Sequence, residues 1–382
     1  PSRCPPRCWC SWSAWPRPLA AERRAGGPRG PPDTLTAVKG LILSGGSGRR
    51  LRPLTHTSAK QLVPIANVPI LHYVVADLVG VGITDIGIVV GDTGDEVRAS
   101  VGDGSRWGAT VTYIDQGEPL GLAHAVLVAQ PFLDDEAFAM YLGDNMFEDS
   151  LDGVVDGFDG TVAARLLLAR VDDPSSFGVA DLADDGTIIG LVEKPTDPPS
   201  DLALVGVYLF GPRIHEAVRA ISPSARGELE ITDAIQWLLD TGETVEHRVL
   251  EGWWIDTGKK DPLLECNRLV LDRLEGDRVA VDDGAEVVDS TLVGPVVVAA
   301  GARIQNSTVG PYVAVGEGCA IRGATVEHSV LMAGARVSNL DRLTGSVLGR
   351  EAEVTGTMGD RVDLSLLLGD HSVVDLGRGT VG

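Results

Sequence analysis

The chain has 382 residues, a formal net charge of −22 at pH 7, and 44% hydrophobic residues. That length exceeds one small core and predicts two domains plus extras, and the apolar content without a membrane-length run predicts a soluble globular protein. The net charge excludes nonspecific attraction to nucleic acid or to an acidic membrane surface.

Residues 1–37 differ from the rest: they carry six arginines against Glu22 and Asp33, many prolines and three of the seven tryptophans, leaving 26 basic and 52 acidic residues elsewhere. This segment has no apolar core of signal-peptide type, and Cys4, Cys8 and Cys10 lack a paired Cys/His set at metal-binding spacing. It is expected to be a disordered or artefactual extension, translated from upstream of a start near Val38. Beyond it only Cys266 and Cys319 remain, which fits a reducing compartment and a cytoplasmic location.

The first predicted element is the apolar run Gly40-Leu41-Ile42-Leu43, which reads as a buried parallel strand ending in Ser44-Gly45-Gly46-Ser47-Gly48-Arg49-Arg50-Leu51-Arg52. Glycines let the backbone approach a ligand and aim successive N–H groups at it, while Arg49, Arg50 and Arg52 add fixed positive charge; the combination suits a polyphosphate. The loop lacks the Gly-Lys-Ser/Thr of one common phosphate loop and the third glycine of the dinucleotide fingerprint. Downstream, Ile70 to Leu78 predicts a helix, Ile86 to Val90 a strand, Gly94 to Val101 a helix, Thr110 to Ile114 a strand, Gly121 to Ala129 a helix and Ala137 to Leu142 a strand. This alternation predicts a doubly wound α/β sheet, with ligands collecting outside the carboxyl ends of the strands. The glycine loop and Gly143-Asp144-Asn145 both lie at such ends.

From Thr161 the rhythm changes. Val162 to Ala169 and Leu202 to Phe210 read as strands, and Asp184-Asp185-Gly186 as a turn between two shorter ones. Arg213 to Ile221, Ile231 to Leu239 and Asp261 to about Leu274 read as helices. The segment Gly227-Glu228-Leu229-Glu230-Ile231-Thr232-Asp233 reads as a capped helix start without chemistry. After it, aliphatic residues recur six apart: Val298 and Ile304; Val309, Val315 and Ile321; Leu331 and Val337; Leu348 and Val354; Leu368 and Val374. Such a period predicts a left-handed parallel β-helix over residues 282–376, its aliphatics stacked inward.

The glycine loop, Ser58-Ala59-Lys60-Gln61-Leu62-Val63-Pro64, Leu142-Gly143-Asp144-Asn145 and Trp254-Ile255-Asp256-Thr257-Gly258 occur in one order, and together they resemble the sugar-1-phosphate nucleotidylyltransferases, in particular their long-type thymidylyltransferase branch with a C-terminal repeat domain. The resemblance implies a mixed-sheet nucleotidyltransferase domain at 38–274 and an enzyme that joins dTTP, or UTP, to glucose 1-phosphate with release of pyrophosphate. It implies Mg²⁺ held by Asp144 and Asp256, Arg50 on the β and γ phosphates, and Lys60 near the α-phosphate. Nucleotide contacts carried over are Gly45, Gly46, Ser47, Gly48, Arg49, Gln61, Gln116 and Gly121, with Gln116 suited to bidentate bonding with a pyrimidine edge. Position 49 is usually threonine in the family, so Arg49 is a departure that leaves only a backbone contact. On the sugar side the resemblance gives Asn145, Gly178, Glu193, Lys194 and the backbone at Leu204.

Alternatives within the same reading are another base or sugar, an acyltransferase β-helix using His328 or His371, and a non-catalytic regulatory subunit, against which Arg50, Lys60, Asp144 and Asp256 stand together. The β-helix is expected to serve assembly or regulation of a homo-oligomer. A chain starting at Val38 is expected to keep the stability and kinetic constants of the full one. Thermal melting and steady-state kinetics of the shortened chain check this; aggregation or lost activity would place the extension against the body.

Overall fold

The computed structural model describes residues 38–46, 48–148, 150–275, 278–357 and 363–377, so the expected N-terminal extension and Ser47 lie outside the described residues. The first apolar run forms β1 (Val38–Ser44). Leu41 and Leu43 pack to one side of it and Ile42 to the other, because successive strand residues point to opposite faces. A strand buried on both faces belongs in the middle of a parallel sheet. After the glycine loop, a short hairpin of β2 (Pro64–Ile65) and β3 (Val68–Pro69) leads into α1 (Ile70–Gly80), β4 (Asp85–Val90), α2 (Gly94–Val101), β5 (Thr110–Asp115), α3 (Leu122–Leu133) and β6 (Ala137–Leu142). The order β5-β4-β1-β6 is parallel throughout. The chain moves outward from β1 to β5 and then returns to pair β6 on the other flank of β1. This is a topological switch point, and the glycine loop and Gly143-Asp144 leave their strands side by side there.

The remainder of the domain comprises β7 (Asn145–Phe147), α4 (Asp152–Val155), β8 (Ala164–Arg170), β9 (Gly178–Leu182), β10 (Ile188–Glu193), β11 (Leu202–Phe210), α5 (Ile214–Ala220), α6 (Ile231–Asp240), β12 (Val245–Val249), β13 (Trp254–Asp256) and α7 (Lys260–Leu271). β11 lies antiparallel to β6, and the β9–β10 hairpin extends the sheet, which is therefore mixed as expected. α1 and α2 cover one face, with Leu71, Val74 and Val97 in its core. α3, α5 and α6 cover the other through Val126, Ala217 and Ile235.

Two boundaries differ instructively from the sequence reading. α3 continues past Ala129 through Pro131 to Leu133. Proline forfeits one helical hydrogen bond, but continuation buries Leu133 fully and sets Phe132 against the strand at Gly87. α7 stops at Leu271 instead of Leu274, and residues 272–274 turn toward the second domain.

That domain is a parallel β-helix. Val298, Val315, Leu331, Leu348 and Leu368 form one stack of paired residues, and Ile304, Ile321, Val337, Val354 and Val374 form a second. All of the aliphatics picked by their six-residue spacing lie in or against one core. A third stack, Leu292, Val309, Val326, Leu343 and Leu364, was not read from the sequence as a stack. Val298 to Ile304 is six residues, Ile304 to Val309 five and Val309 to Val315 six. One side of the coil is thus a residue short, which is why strict hexads slip register. The strand residues between the inward ones point outward: Val297, Ala314, Val330 and Val347 pack on Leu263, Cys266, Val270 and Leu271 of α7 and on Ile65 and Ala66. Among the described residues no helix is long and apolar enough to cross a membrane.

Beneath α1, Asp77 is buried and accepts a hydrogen bond from Tyr141 Oη (3.0 Å). Burial pushes its carboxyl up from 3.8 to about 7, against the opposing effects of the Tyr141 bond and Arg273. The unfolded chain releases this proton near 3.8 and the folded one near 7, so its contribution to stability is full below 3.8 and is lost progressively as pH rises through 7. Asp77→Asn keeps an acceptor for Tyr141 and has no proton to lose. Its melting temperature is expected to fall less than that of the parent between pH 5 and 8, as measured by thermal melts across that range.

Candidate active site

The site is built where β7 and β13 pair. These two three-residue strands run antiparallel with Asp256 opposite Asn145 and Trp254 opposite Phe147. Thr257 reinforces the join, its Oγ1 and backbone N–H both donating to the Asp144 carbonyl (2.7 and 3.1 Å). Trp254 Nε1 donates to Asn145 Oδ1 (2.6 Å). Two carboxylates from distant parts of the chain, Asp144 and Asp256, thereby come to one place. Neither short strand was visible in the sequence, since three residues carry too little periodicity to read.

Each carboxylate is met by a cation from the segment following β1. Lys60 Nζ pairs with Asp144 Oδ2, and Arg50 Nη2 with Asp256 Oδ2 (3.1 Å). Lys60 opens a single 3₁₀ turn, Lys60–Leu62. Asp144 is only 7% exposed. Burial alone would raise its carboxyl, but the Lys60 charge and hydrogen bond and the Asn145 amide outweigh this and hold it below the ordinary range. Asp256 is more open, and its Oδ1 accepts the Gly258 N–H (2.9 Å).

The glycine loop lies beside this pair. A Cβ at Gly46 would press on Lys60 Cε at 3.2 Å, and one at Gly45 would meet Gln116 Oε1 at 2.5 Å. Glycine at 45 is what lets the Gln116 carboxamide cross the loop. Gln116 is oriented by its Nε2 bond to the Gly121 carbonyl (3.2 Å). Gln61 is buried and its Oε1 has no partner among the described residues. Gly48 receives Thr55 Oγ1 at its carbonyl (2.7 Å), and Arg49 is exposed.

On the far side of the carboxylates opens a cleft of about 1180 Å³, whose lining includes Arg50, Asn145, Gly178, Glu193, Lys194, Leu204 and Asp256. All five residues expected on the sugar side are brought together here. The cleft is framed by β9, β10 and β11, and its aromatic wall is Trp254, edge-on to Phe177 with centroids 5.4 Å apart. Gly206 on β11 leaves room for Asn145, whose side chain a Cβ at that position would strike. Lys60, Gln116 and Gly121 do not line this cleft; they belong to the glycine-loop side.

Sequence reasoning missed the partners of Glu193. Its Oε2 accepts Thr232 Oγ1 (2.7 Å) and its Oε1 accepts Arg226 Nη2 (3.0 Å). Thr232 sits in the very segment read as a bland capped helix start, and Arg226 immediately precedes that segment. Glu230 makes no side-chain cap for α6; it binds Ser224 and Arg226 instead. An arginine and a threonine bracketing two glutamates were the available signal.

Two carboxylates, each paired with a cationic side chain, fit a hard divalent ion that takes its other ligands from phosphates and water. Among the described residues no cluster of three or more His, Cys, Asp or Glu supplies a self-contained metal cage. Asp144 and Asp256 are the carboxylates here that could hold such an ion.

A glucose-1-phosphate thymidylyltransferase of Streptomyces antibioticus is 50% identical over 354 residues, covering 89% of this chain and 99% of that one. Its counterpart in Streptomyces griseus is 51% identical over 349 residues, covering 88% and 98%. A Bacillus anthracis protein assigned as a glucose-1-phosphate thymidylyltransferase and crystallised with sucrose superposes with a TM-score of 0.59 at 37% identity, covering 63% of this chain and 98% of that one. The nucleotidyl transferase family model matches residues 39–273, and with that span and these relatives the chain belongs to the nucleotidyl transferase family.

Proposed function

We propose that the protein transfers a thymidylyl group from dTTP to glucose 1-phosphate, giving dTDP-glucose and pyrophosphate. The observation that carries this reading is the convergence of Asp144 and Asp256, each bridged to a cation of the glycine-loop segment, at the boundary between a phosphate-binding loop and a polar, aromatic-walled cleft. The near full-length likeness to thymidylyltransferases supports the choice of base and sugar.

In this reading Arg50 leaves Asp256 for the β and γ phosphates, and Lys60 turns from Asp144 toward the α-phosphate. Gly45, Gly46 and Gly48 offer backbone N–H groups to the triphosphate, with Ser47 and Arg49 in the same loop, and Gln61 and Gln116 face the nucleoside. Asn145, the Gly178 and Leu204 backbones and Glu193 receive the sugar hydroxyls over Trp254. Lys194 places the sugar phosphate so that one of its oxygens lies in line with the α-phosphorus. That oxygen forms the new bond to phosphorus, the α–β bridging P–O bond breaks, and pyrophosphate carries the leaving electron pair. Asp144 and Asp256 would hold Mg²⁺, which would supply neutralisation of phosphate charge. The exposed Val281, Val287, Val288 and Val293 on the first β-helix coil support a homo-oligomer.

Asp144→Asn and Asp256→Asn are each expected to lower turnover roughly a hundredfold or more with circular dichroism unchanged; near-normal rates would remove that residue from the site. Glu193→Gln is expected to raise KM for glucose 1-phosphate about tenfold while KM for dTTP moves little. Pyrophosphate release across dTTP, UTP, GTP, ATP and CTP, each with glucose 1-phosphate, tests the nucleotide, with dTTP expected to give the highest kcat/KM. A higher value for UTP would make the enzyme a uridylyltransferase.

A further inference from the structure

The last coils of the β-helix reach back to both strips of chain that carry the catalytic cations and carboxylates. Asp370 Oδ2 accepts hydrogen bonds from Thr57 Oγ1 (2.9 Å) and Ser58 Oγ (3.2 Å), two residues ahead of Lys60. Its other oxygen accepts the backbone N–H of Arg350 (2.8 Å), which anchors the carboxylate to the coil beneath. Next to it, Gly369 lies so close to Pro53 that a Cβ would stand 2.9 Å from the Pro53 carbonyl oxygen. The strip 53–58 is thus pressed from outside by residues 369–370. On its inner side Thr55 holds Gly48 of the glycine loop, and Glu96 Oε2 accepts the Ala59 N–H (3.1 Å).

A second tether serves the other carboxylate. Lys260, four residues after Asp256, donates through Nζ to the Gly345 carbonyl (3.1 Å) and to Ser365 Oγ (2.9 Å). Ser365 Oγ also donates to the Gly345 carbonyl (3.0 Å), so the receiving corner is itself fixed.

From these contacts we infer that Asp370 and Lys260 are positioning residues for nucleotidyl transfer, and that the β-helix forms the rigid outer wall setting the distance between the Lys60 strip and the Asp256 strip. Neither residue touches the cleft. They act on residues that do, and small misplacements at a phosphoryl-transfer centre cost large factors in rate. The β-helix thereby gains a role in turnover beyond the assembly role expected of it. This inference rests on the proposed use of Lys60 and Asp256 in catalysis.

The test uses the full chain, with pyrophosphate release from dTTP and glucose 1-phosphate and hydrogen exchange of peptides covering residues 48–60 and 254–260. Asp370→Ala is expected to lower kcat about tenfold, with faster exchange in 48–60. Thr57→Val removes the shorter of the tether's two hydroxyl bonds without touching the Arg350 anchor and should show both effects in smaller measure. Thr57→Ser and Asp370→Asn retain bonding groups and should restore most of the rate. Lys260→Met should act likewise on peptide 254–260. The inference is overturned if folded Asp370→Ala and Thr57→Val keep parental kcat and exchange, or if Asp370→Ala lowers only the melting temperature while Thr57→Val is kinetically normal. Should the parent release no pyrophosphate from any nucleotide, the functional reading fails, and the exchange data alone decide whether the wall holds the two strips.

Discussion

The antiparallel pairing of β7 with β13 is the constraint on which the rest of the site depends. Isolated two-stranded ribbons this short have little stability of their own. Here the ribbon is held by the Thr257 bonds to Asp144, by the Trp254 indole on Asn145, and by exchange between Glu148 and Trp253, whose backbone N–H donates to the Glu148 carboxylate at 3.0 Å. Met146 is buried in the core shared by the two domains, and Ile255 packs against it. The two acidic residues therefore sit on a platform fastened to the domain boundary, which is why the β-helix contacts bear on their placement.

Charge is managed locally in a strongly acidic chain. A net −22 repels polyanions at long range, and within the site the two carboxylates add to that repulsion. Pairing each with Lys60 or Arg50 offsets the cost of holding Asp144 away from water. It also keeps two cations beside the glycine loop. The same economy recurs at Glu193, which is ringed by Arg226, Lys194 and Thr232.

The union of the two domains is apolar at its centre and polar at its edge. Val297, Val330 and Val347 each bury a side chain worth roughly 1.5–3 kcal/mol against α7 and the β2–β3 hairpin. Around them, Asn67 Nδ2 donates to the Val315 carbonyl (2.8 Å) and Tyr312 Oη to Asp272 (3.1 Å). An interface of that composition resists sliding, and this lets hydrogen bonds at its rim, such as those of Asp370, transmit position.

Periodicity in the sequence determined most of the architecture. The switch-point sheet followed from the alternation of apolar runs with helical patterns, and the two main stacks of the β-helix followed from aliphatics six apart. The glycine loop and the acidic residues were legible because each ends a recognisable strand or stands in a distinctive local string. Tertiary structure alone decided what meets across long separations: the β7–β13 ribbon, the Thr232 and Arg226 bonds to Glu193, and the Asp370 bonds to Thr57 and Ser58. The physical reason is one of information. Local pattern records which face of an element is buried, because burial repeats with the geometry of the helix or strand. A single hydrogen bond between residues hundreds of positions apart leaves no period, and its partners become known only when the whole chain has packed.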